Sequence, residues 1–519
     1  MNTNDLITGC ACCPMNRRNF LTRASTVAAG VLAAPAYLGA ADPKDKQRIR
    51  IIYSLHTDTQ DRPDWPNKGF QFRPHMERIT GMLAKECKGF EFIPCTATGE
   101  EQAKALLAAD KAAGNIDGYL VYQMNCWNRV VQTIATAGKP VLYADFQFGG
   151  SGGFLVYNAA FLRSKAPNVA FVASSRPKDL VKAVKCFAAA RNGGSAAEFV
   201  AAVDQARLKG MPGAPRSAGK PDQVNCLSAD ECLRRLKETK LLAIRNQEAG
   251  PGGEVMGVKV EMVTFAELND AWQKADKDEA KAIAARWAKD AKRVEGVSQA
   301  ELDNSAAMYL AEKALLKKHG ASGITINCLG GFYGGHIHAY PCLGFYQLNT
   351  DAQVGGCECD IRSAATMLIG TTLTQGRPGY ISDPVMDTAK RQIIYAHCVA
   401  HNKAFGPQGK TNPYEILTHS EDRQGASIRS ILPTGYMTTS LEFEQSRKEI
   451  LLHRALAVDN DPDDRACRTK LCAEPVGDFQ KLFSMWDQWG WHRVTFYGDL
   501  KQPVYALADA AGWKVVEEA

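Results

Sequence analysis

The stretch FEFIPCTATGEEQAKALLAADKAAGNIDGYLVYQM (residues 90–124) decides the fold class. FEFIPCTAT is rich in aromatic and β-type residues and reads as a strand, GEEQAKALLAAD carries strong helix formers, and IDGYLVYQM is a strand again. The same rhythm runs on both sides. RIRIIYSL (48–55) precedes it as a strand, while CWNRVVQTIATAG (126–138) and KPVLYADF (139–146) follow as helix and strand. Strands alternating with helices predict a doubly wound parallel sheet. Ligands of such sheets gather at the carboxyl ends of the strands, here the loops that hold His56, Asp58, Trp127 and Phe148. No GxGxxG follows any of these strands, so a dinucleotide is not indicated.

A second α/β unit is expected from NVAFVASS (168–175) and RPKDLVKAVKCFAAAR (176–191), followed by the Pro/Gly-rich surface connection GMPGAPRSAGKPD (210–222). Beyond it, Ser228 with Glu231, Thr264 with Glu267 and Ser298 with Glu301 fit the capping-box pattern. Residues 264–319 read as two long, charge-laced helical segments closed by Gly320, and GITINCLGG (323–331) returns to a strand. After Pro341 the character changes: a helix from Asp360 to Leu373 precedes a hairpin and several further β-type runs. The expected architecture is two N-terminal doubly wound α/β domains (42–165 and 166–340) plus a C-terminal mixed α+β domain (341–519) with a barrel-like antiparallel sheet.

At 519 residues, 45% hydrophobic and 23% charged, the chain is long enough for two or three globular cores and carries no apolar run near the roughly 20 residues of a membrane span. Its first residues follow a different pattern. The Arg17-Arg18 pair in NRRNFLT precedes the apolar TVAAGVLAAPAYLGA and small residues up to Ala41, the order of a twin-arginine export signal. An exported, periplasmic or cell-envelope protein handled by that export machinery is therefore expected, with residues 1–41 removed. Cleavage would take away Arg17, Arg18, Arg23 and Asp5, moving the net charge from +6 to +4. Such a mild excess does not argue for nucleic acid. Of sixteen cysteines, Cys10, Cys12 and Cys13 lie in that segment, which leaves thirteen. No zinc-type pair of CxxC motifs is present among them.

One constellation could carry chemistry. In the hairpin, a turn centred near Lys390 would set Asp383 opposite His397 on one face of the sheet. In CECDIRSAATM (357–367), Glu358 and Asp360 stand at a helix start, where carboxylates are favoured; Asp360 alone could be a plain N-cap. His492 begins the last strand beside two tryptophans, a place where a lone histidine is ordinarily packing. As a set, these acids and imidazoles have the makings of a divalent-cation site.

CECDIRSAATML, the GYISDPVMD strand, IIYAHC and GWHRVTFYGDL together resemble the C-terminal half of the L-arabinose and L-fucose isomerase superfamily, and VYQMNCWNRVVQTIATAGKPVLYADF is similar to its substrate-side domains. The resemblance implies an aldose–ketose isomerase with a divalent metal, Mn2+ first, working on a small sugar in a trimer or hexamer. It places Glu358, Asp383, His397 and His492 on the metal and gives the proton-moving duty to Glu358 and Asp360. Asp383 is one carbon shorter than the family's usual glutamate, and Cys359 replaces a small residue. His336 and His338 in GGHIHAYPC, with Trp127 and His56, remain as candidate sugar contacts. An exported sugar-binding protein on the same scaffold without catalysis, or an epimerase or hydrolase using the same acids, would also fit.

Overall fold

The computed structural model describes residues 46–246 and 248–519; the expected export signal lies outside them. The chain divides into two compact units. The first takes in the described residues up to Gly213 together with the hairpin tip Val385–Gln392, and the second comprises Ala214–Pro384 and Ile393–Ala519.

In the first unit, β1 (Gln47–Ser54), β2 (Phe90–Ala97), β3 (Gly118–Gln123), β4 (Val141–Asp145) and β5 (Val169–Val172) form one parallel sheet in the order β2-β1-β3-β4-β5. Alternation makes one face of β1: Ile49, Ile51 and Tyr53 pack with Met76, Ile79 and Leu83, which recur at helical spacing on the helix Arg73–Glu86. The segment 168–175, expected to open a second α/β unit, supplies β5, which pairs with β4 in this first sheet. Sequence-local patterns show that a strand exists but not which sheet it joins.

The second unit contains another sheet, β6 (Lys240–Ile244), β7 (Gly250–Val255), β8 (Val258–Met262), β10 (Gly323–Ile326) and β11 (Val354–Gly356), in the order β11-β10-β6-β8-β7. All its pairings are parallel except that of β7 with β8. β7, GPGGEV, was not expected from sequence; glycine and proline are tolerated there because it is an edge strand with a shifted register. The short β9 (Val294–Glu295) pairs elsewhere, with β14 (Tyr414–Leu417), itself antiparallel to β15 (Ser427–Ser430).

Residues 264–319 make three helices rather than two: Phe265–Gln273, Lys277–Asp290 and Gln299–His319. Asp276 is the break, its side chain accepting from the amides of Asp278 and Glu279. Ser228, Thr264 and Ser298 each accept a hydrogen bond from the amide three residues on, and Gly320 ends the last helix in the left-handed conformation.

The remaining strands are β12 (Tyr380–Asp387), β13 (Gln392–His397), β16 (Met437–Glu444), β17 (Glu449–Asn460), β18 (Thr469–Pro475), β19 (Arg493–Tyr497) and β20 (Lys514–Glu517). Six of them close an antiparallel barrel in the order β16-β19-β12-β13-β18-β17, with β17 returning to β16. β20 lies parallel outside β17. Among the described residues, no helix is long and apolar enough to cross a membrane.

Candidate metal centre

Residues 357–360 carry the chain from β11 to the helix Ile361–Leu373. Glu358 (φ 61°) and Cys359 (φ 51°) are both left-handed, a conformation that costs a residue with a Cβ about 1 kcal/mol or more. Asp360 then caps the helix, accepting from the Ser363 amide at 3.1 Å. The turn sets Glu358 beside two barrel histidines, 3.6 Å from Nε2 of His397 and 3.7 Å from Nε2 of His492.

The barrel brings the other groups. Asp383 sits in β12, His397 ends β13, and His492 immediately precedes β19. β12 and β19 pair Ser382 with Arg493; one antiparallel step further lays Asp383 across from His492, and Asp383 Oδ1 is 3.2 Å from its Nε2. His397 Nε2 is 3.9 Å from Asp383 Oδ2. One ligand atom from each of Glu358, Asp383, His397 and His492 lies within 4.8 Å of the others, and all four residues are buried.

Two carboxylates this close, out of water, need positive charge between them. Burial alone would lower the pKa of both imidazoles. For His397 it is outweighed by Glu358 and Asp383, and for His492 by Asp383, Asp360 and Glu358, so that His397 is raised and His492 stands well above its usual value. Burial would likewise raise Asp360, but His492, Arg362 and the Ser363 amide hold it well below the usual carboxylate range. Protons can balance this site, and so can a divalent cation that displaces them.

The ligand atoms fit the cation. Neither ring nitrogen of His397 nor Nε2 of His492 makes a well-aligned hydrogen bond; the groups that face the two Nε2 atoms are the carboxylates of Glu358 and Asp383. His492 Nδ1 is held at 2.9 Å by Asp360 Oδ2, which fixes the ring with Nε2 facing Glu358 and Asp383. A carboxylate behind an imidazole is the usual support of a metal-binding histidine. Two imidazoles with two carboxylates suit Mn, Fe, Co or Zn better than the all-oxygen sets that Mg and Ca prefer.

A further ring of residues escaped sequence reasoning. Trp491 Nε1 donates to Asp383 Oδ1, and Cys467 Sγ lies 4.0 Å from Asp383 Oδ2. Ser363 Oγ stands 3.0 Å from Asp360 and 3.1 Å from Glu442 Oε2; burial, followed by the charge of Asp360, pushes the Glu442 carboxyl well up. Behind His492, the Arg493 guanidinium donates to the His492 carbonyl at 2.9 Å and is itself clamped by Glu518. Trp491 was visible beside His492 in GWHR. Glu442 could have been found as an acid amid the apolar positions of SLEFE.

The remaining candidates are not members of this cluster. His336 and His338 are exposed; His336 stacks on Phe265 with ring centres 5.4 Å apart, and His338 sits 5.8 Å from Trp272. His56 and Trp127 belong to the first unit, half-buried beyond the carboxyl ends of β1 and β3. Those strands are neighbours where the strand order reverses, the place where open α/β sheets take ligands. The His56 amide is held by Asn125 at 3.0 Å, and Trp127 (φ 64°) meets Tyr157 edge-on at 6.2 Å.

The second unit is thus defined by a parallel sheet, a closed barrel and a buried centre of two carboxylates and two imidazoles between them. No protein-family model matches the chain. It is similar to a sulfoquinovose isomerase of Clostridium sp. (strain MSTE9), 25% identical over 335 residues that cover 61% of this chain and 73% of that protein. It is also similar to a sulfoquinovose isomerase of Alkalicoccus urumqiensis, 26% identical over 182 residues, 33% of this chain and 39% of that one. Among solved structures, an ABC transporter solute-binding protein from Bacillus halodurans C-125 with bound myo-inositol aligns with 64% of this chain and 91% of its own at 13% identity, with a TM-score of 0.17.

Proposed function

We propose that the protein is a metal-dependent aldose–ketose isomerase acting on a sugar, with the proton passed through an enediolate. The observation that carries the reading is the buried Glu358–Asp383–His397–His492 centre. The similarity to two sulfoquinovose isomerases supports the reaction class and makes a sulfonated hexose the first substrate to test. Glu358, Asp383, His397 and His492 hold the ion, Mn2+ first. A bound divalent ion supplies the positive charge that polarises the sugar carbonyl.

Isomerisation requires a base to take the proton from the carbon beside the carbonyl and return it to the neighbouring carbon. Glu358 is that base. Asp360, expected to share the duty, has its oxygens engaged by His492 and by the amide and hydroxyl of Ser363. Those bonds support a positioning role, keeping the His492 Nδ1–H directed at Asp360. His56, Trp127, His336 and His338 remain proposed sugar contacts. We further propose export by the twin-arginine route to the periplasm or cell envelope, removal of residues 1–41, and a homo-oligomer of three or six chains.

The test is metal analysis of the purified protein, followed by a screen of aldoses, sulfoquinovose, L-fucose and L-arabinose among them, for ketose formation by NMR. Turnover that is lost on chelation, restored by Mn2+ and abolished in Glu358→Gln is expected. Sugar binding without interconversion of any aldose, or full turnover in Glu358→Gln, would overturn it. Cell fractionation with and without Arg17→Lys and Arg18→Lys tests the export route.

A further inference from the structure

All thirteen described cysteines are free thiols; beside the metal centre Cys398 interacts with Cys467, and Cys328 and Cys357 lie with Sγ atoms 3.4 Å apart. Their approach is set by the sheet. β10 and β11 are parallel neighbours with Thr325 paired to Gly356; Cys357 is the first residue beyond β11, and Cys328 opens the helix Cys328–Tyr333 two residues beyond β10. The Asn327 side chain pins that helix start by accepting from the Gly330 amide at 3.1 Å, and Thr325 Oγ1 reaches the Cys357 carbonyl at 3.5 Å. A disulfide bond is about 2.05 Å long. Movement of little more than an ångström between two residues already in contact would therefore close one. Among the described residues, this sulfur pair has no third histidine, cysteine or carboxylate placed to complete a metal site, so its chemistry is that of a dithiol.

We propose that Cys328 and Cys357 form a reversible disulfide by exchange with a small-molecule disulfide, and that the bridge acts on the metal centre through Glu358, the next residue along the chain. In the first step one thiolate attacks a sulfur of the oxidant RSSR, making a mixed disulfide and releasing one thiolate RS⁻. The second protein thiolate then attacks the protein sulfur of that intermediate and expels the second RS⁻. Two protein thiols are oxidised, one RSSR is reduced to two RSH, and the released thiolates carry away the two protons. Drawing Cys357 towards Cys328 pulls on the left-handed turn at Glu358 and Cys359 and displaces the carboxylate from His397 and His492. This coupling rests on the metal-centre reading above; the bridge itself does not.

The experiment starts from fully reduced protein, desalted and incubated with glutathione disulfide under native conditions, with free thiols then alkylated and peptides mapped without reduction. A single cross-link between Cys328 and Cys357, reversed by dithiothreitol and absent in both Cys328→Ser and Cys357→Ser, is the expected result. Glutathione adducts without a cross-link, a bridge from Cys357 to Cys359 or from Cys398 to Cys467 instead, or inert thiols under conditions that oxidise a control dithiol peptide would overturn it. Mn2+ titration of both forms reads the coupling. Binding about tenfold weaker in the oxidised form is expected, the scale on which a ligand's support acts. Equal affinity refutes the coupling, and no Mn2+ binding by the reduced form refutes the metal-centre reading while leaving the mapped bridge intact.

Discussion

Glu518→Gln should cost the protein roughly 3 kcal/mol near neutral pH. Glu518 is wholly buried, as is Arg493, and the two share a two-point pair: Nε to Oε1 and Nη2 to Oε2, each 2.9 Å. His453 Nδ1 adds a third contact at 2.7 Å. Burial, which would raise the carboxyl pKa, is outweighed by Arg493 and His453, which pull it down to about 2. Its unfolded value is about 4.3, so the stabilisation is complete above that pH and is lost as pH falls towards the folded value. A gap of that size is worth roughly 3 kcal/mol, in line with the about 3–5 kcal/mol that follows when a buried ion pair loses one partner. The glutamine keeps the shape and removes the charge, leaving the guanidinium without its counter-charge. Urea unfolding of both proteins across the acid range reads the difference. A deficit in the variant below about 1 kcal/mol near neutrality would show that the buried pair does not carry this stabilisation. So would a wild-type advantage that persists undiminished in acid. Because Arg493 also holds the His492 carbonyl, the variant should bind metal more weakly as well.

Three further outcomes are expected. Asp360→Asn, which keeps an acceptor for the Ser363 amide but loses the charge behind His492, should weaken Mn2+ binding by about 10–100-fold with the fold intact; unchanged affinity in a competition titration would remove Asp360 from the site. Metal binding should release protons at neutral pH as well as in mild acid, because the raised pKa values of His397 and His492 make protons the competitor; calorimetry in buffers of differing ionisation heat measures this, and no release at or below neutrality would contradict it. Glu312 is fully buried in the helix Gln299–His319 with neither carboxylate oxygen hydrogen-bonded, and burial pushes its pKa well up. Since the folded value is the higher one, the wild type should lose stability relative to Glu312→Gln as pH rises above the unfolded value of about 4.3, and pH-independent stability differences in urea would sink the claim.

The parts of the site that follow local rules were legible in the sequence. Asp360 was readable as a cap because a short acid before an apolar run can reach the third amide, and the Ser363 amide is where it bonds. Asp383 and His397 could be expected near one another because the strand period is two and a turn lies between them, and their side chains come within 3.9 Å. What stayed hidden depends on contacts distant in sequence. Nothing in CEC announces two left-handed residues, since neither is glycine or asparagine. The partners of Glu442 and Glu518 are of this kind: both acids are buried because β16 lies in a closed barrel and β20 covers its flank. β5 was recognisable as a strand, but its partner β4 was settled by pairing rather than by composition.

The strained turn ties the fold to the chemistry. A glycine at either 358 or 359 would relieve one left-handed residue, and Asp360 alone suffices to start the helix. The sequence places a carboxylate and a thiol there instead. The carboxylate at 358 is the part of that turn that meets His397 and His492. Helix initiation therefore does not account for the cost of the turn; delivering Glu358 to the barrel histidines does. That also explains why the centre spans two architectures. β11 and the turn bring one acid from the parallel sheet, while the barrel supplies the two imidazoles and the second acid on strands whose register is fixed by antiparallel pairing. A perturbation on either side, a bridge at Cys357 or a lost charge at Glu518, should reach the same four ligand atoms by separate routes.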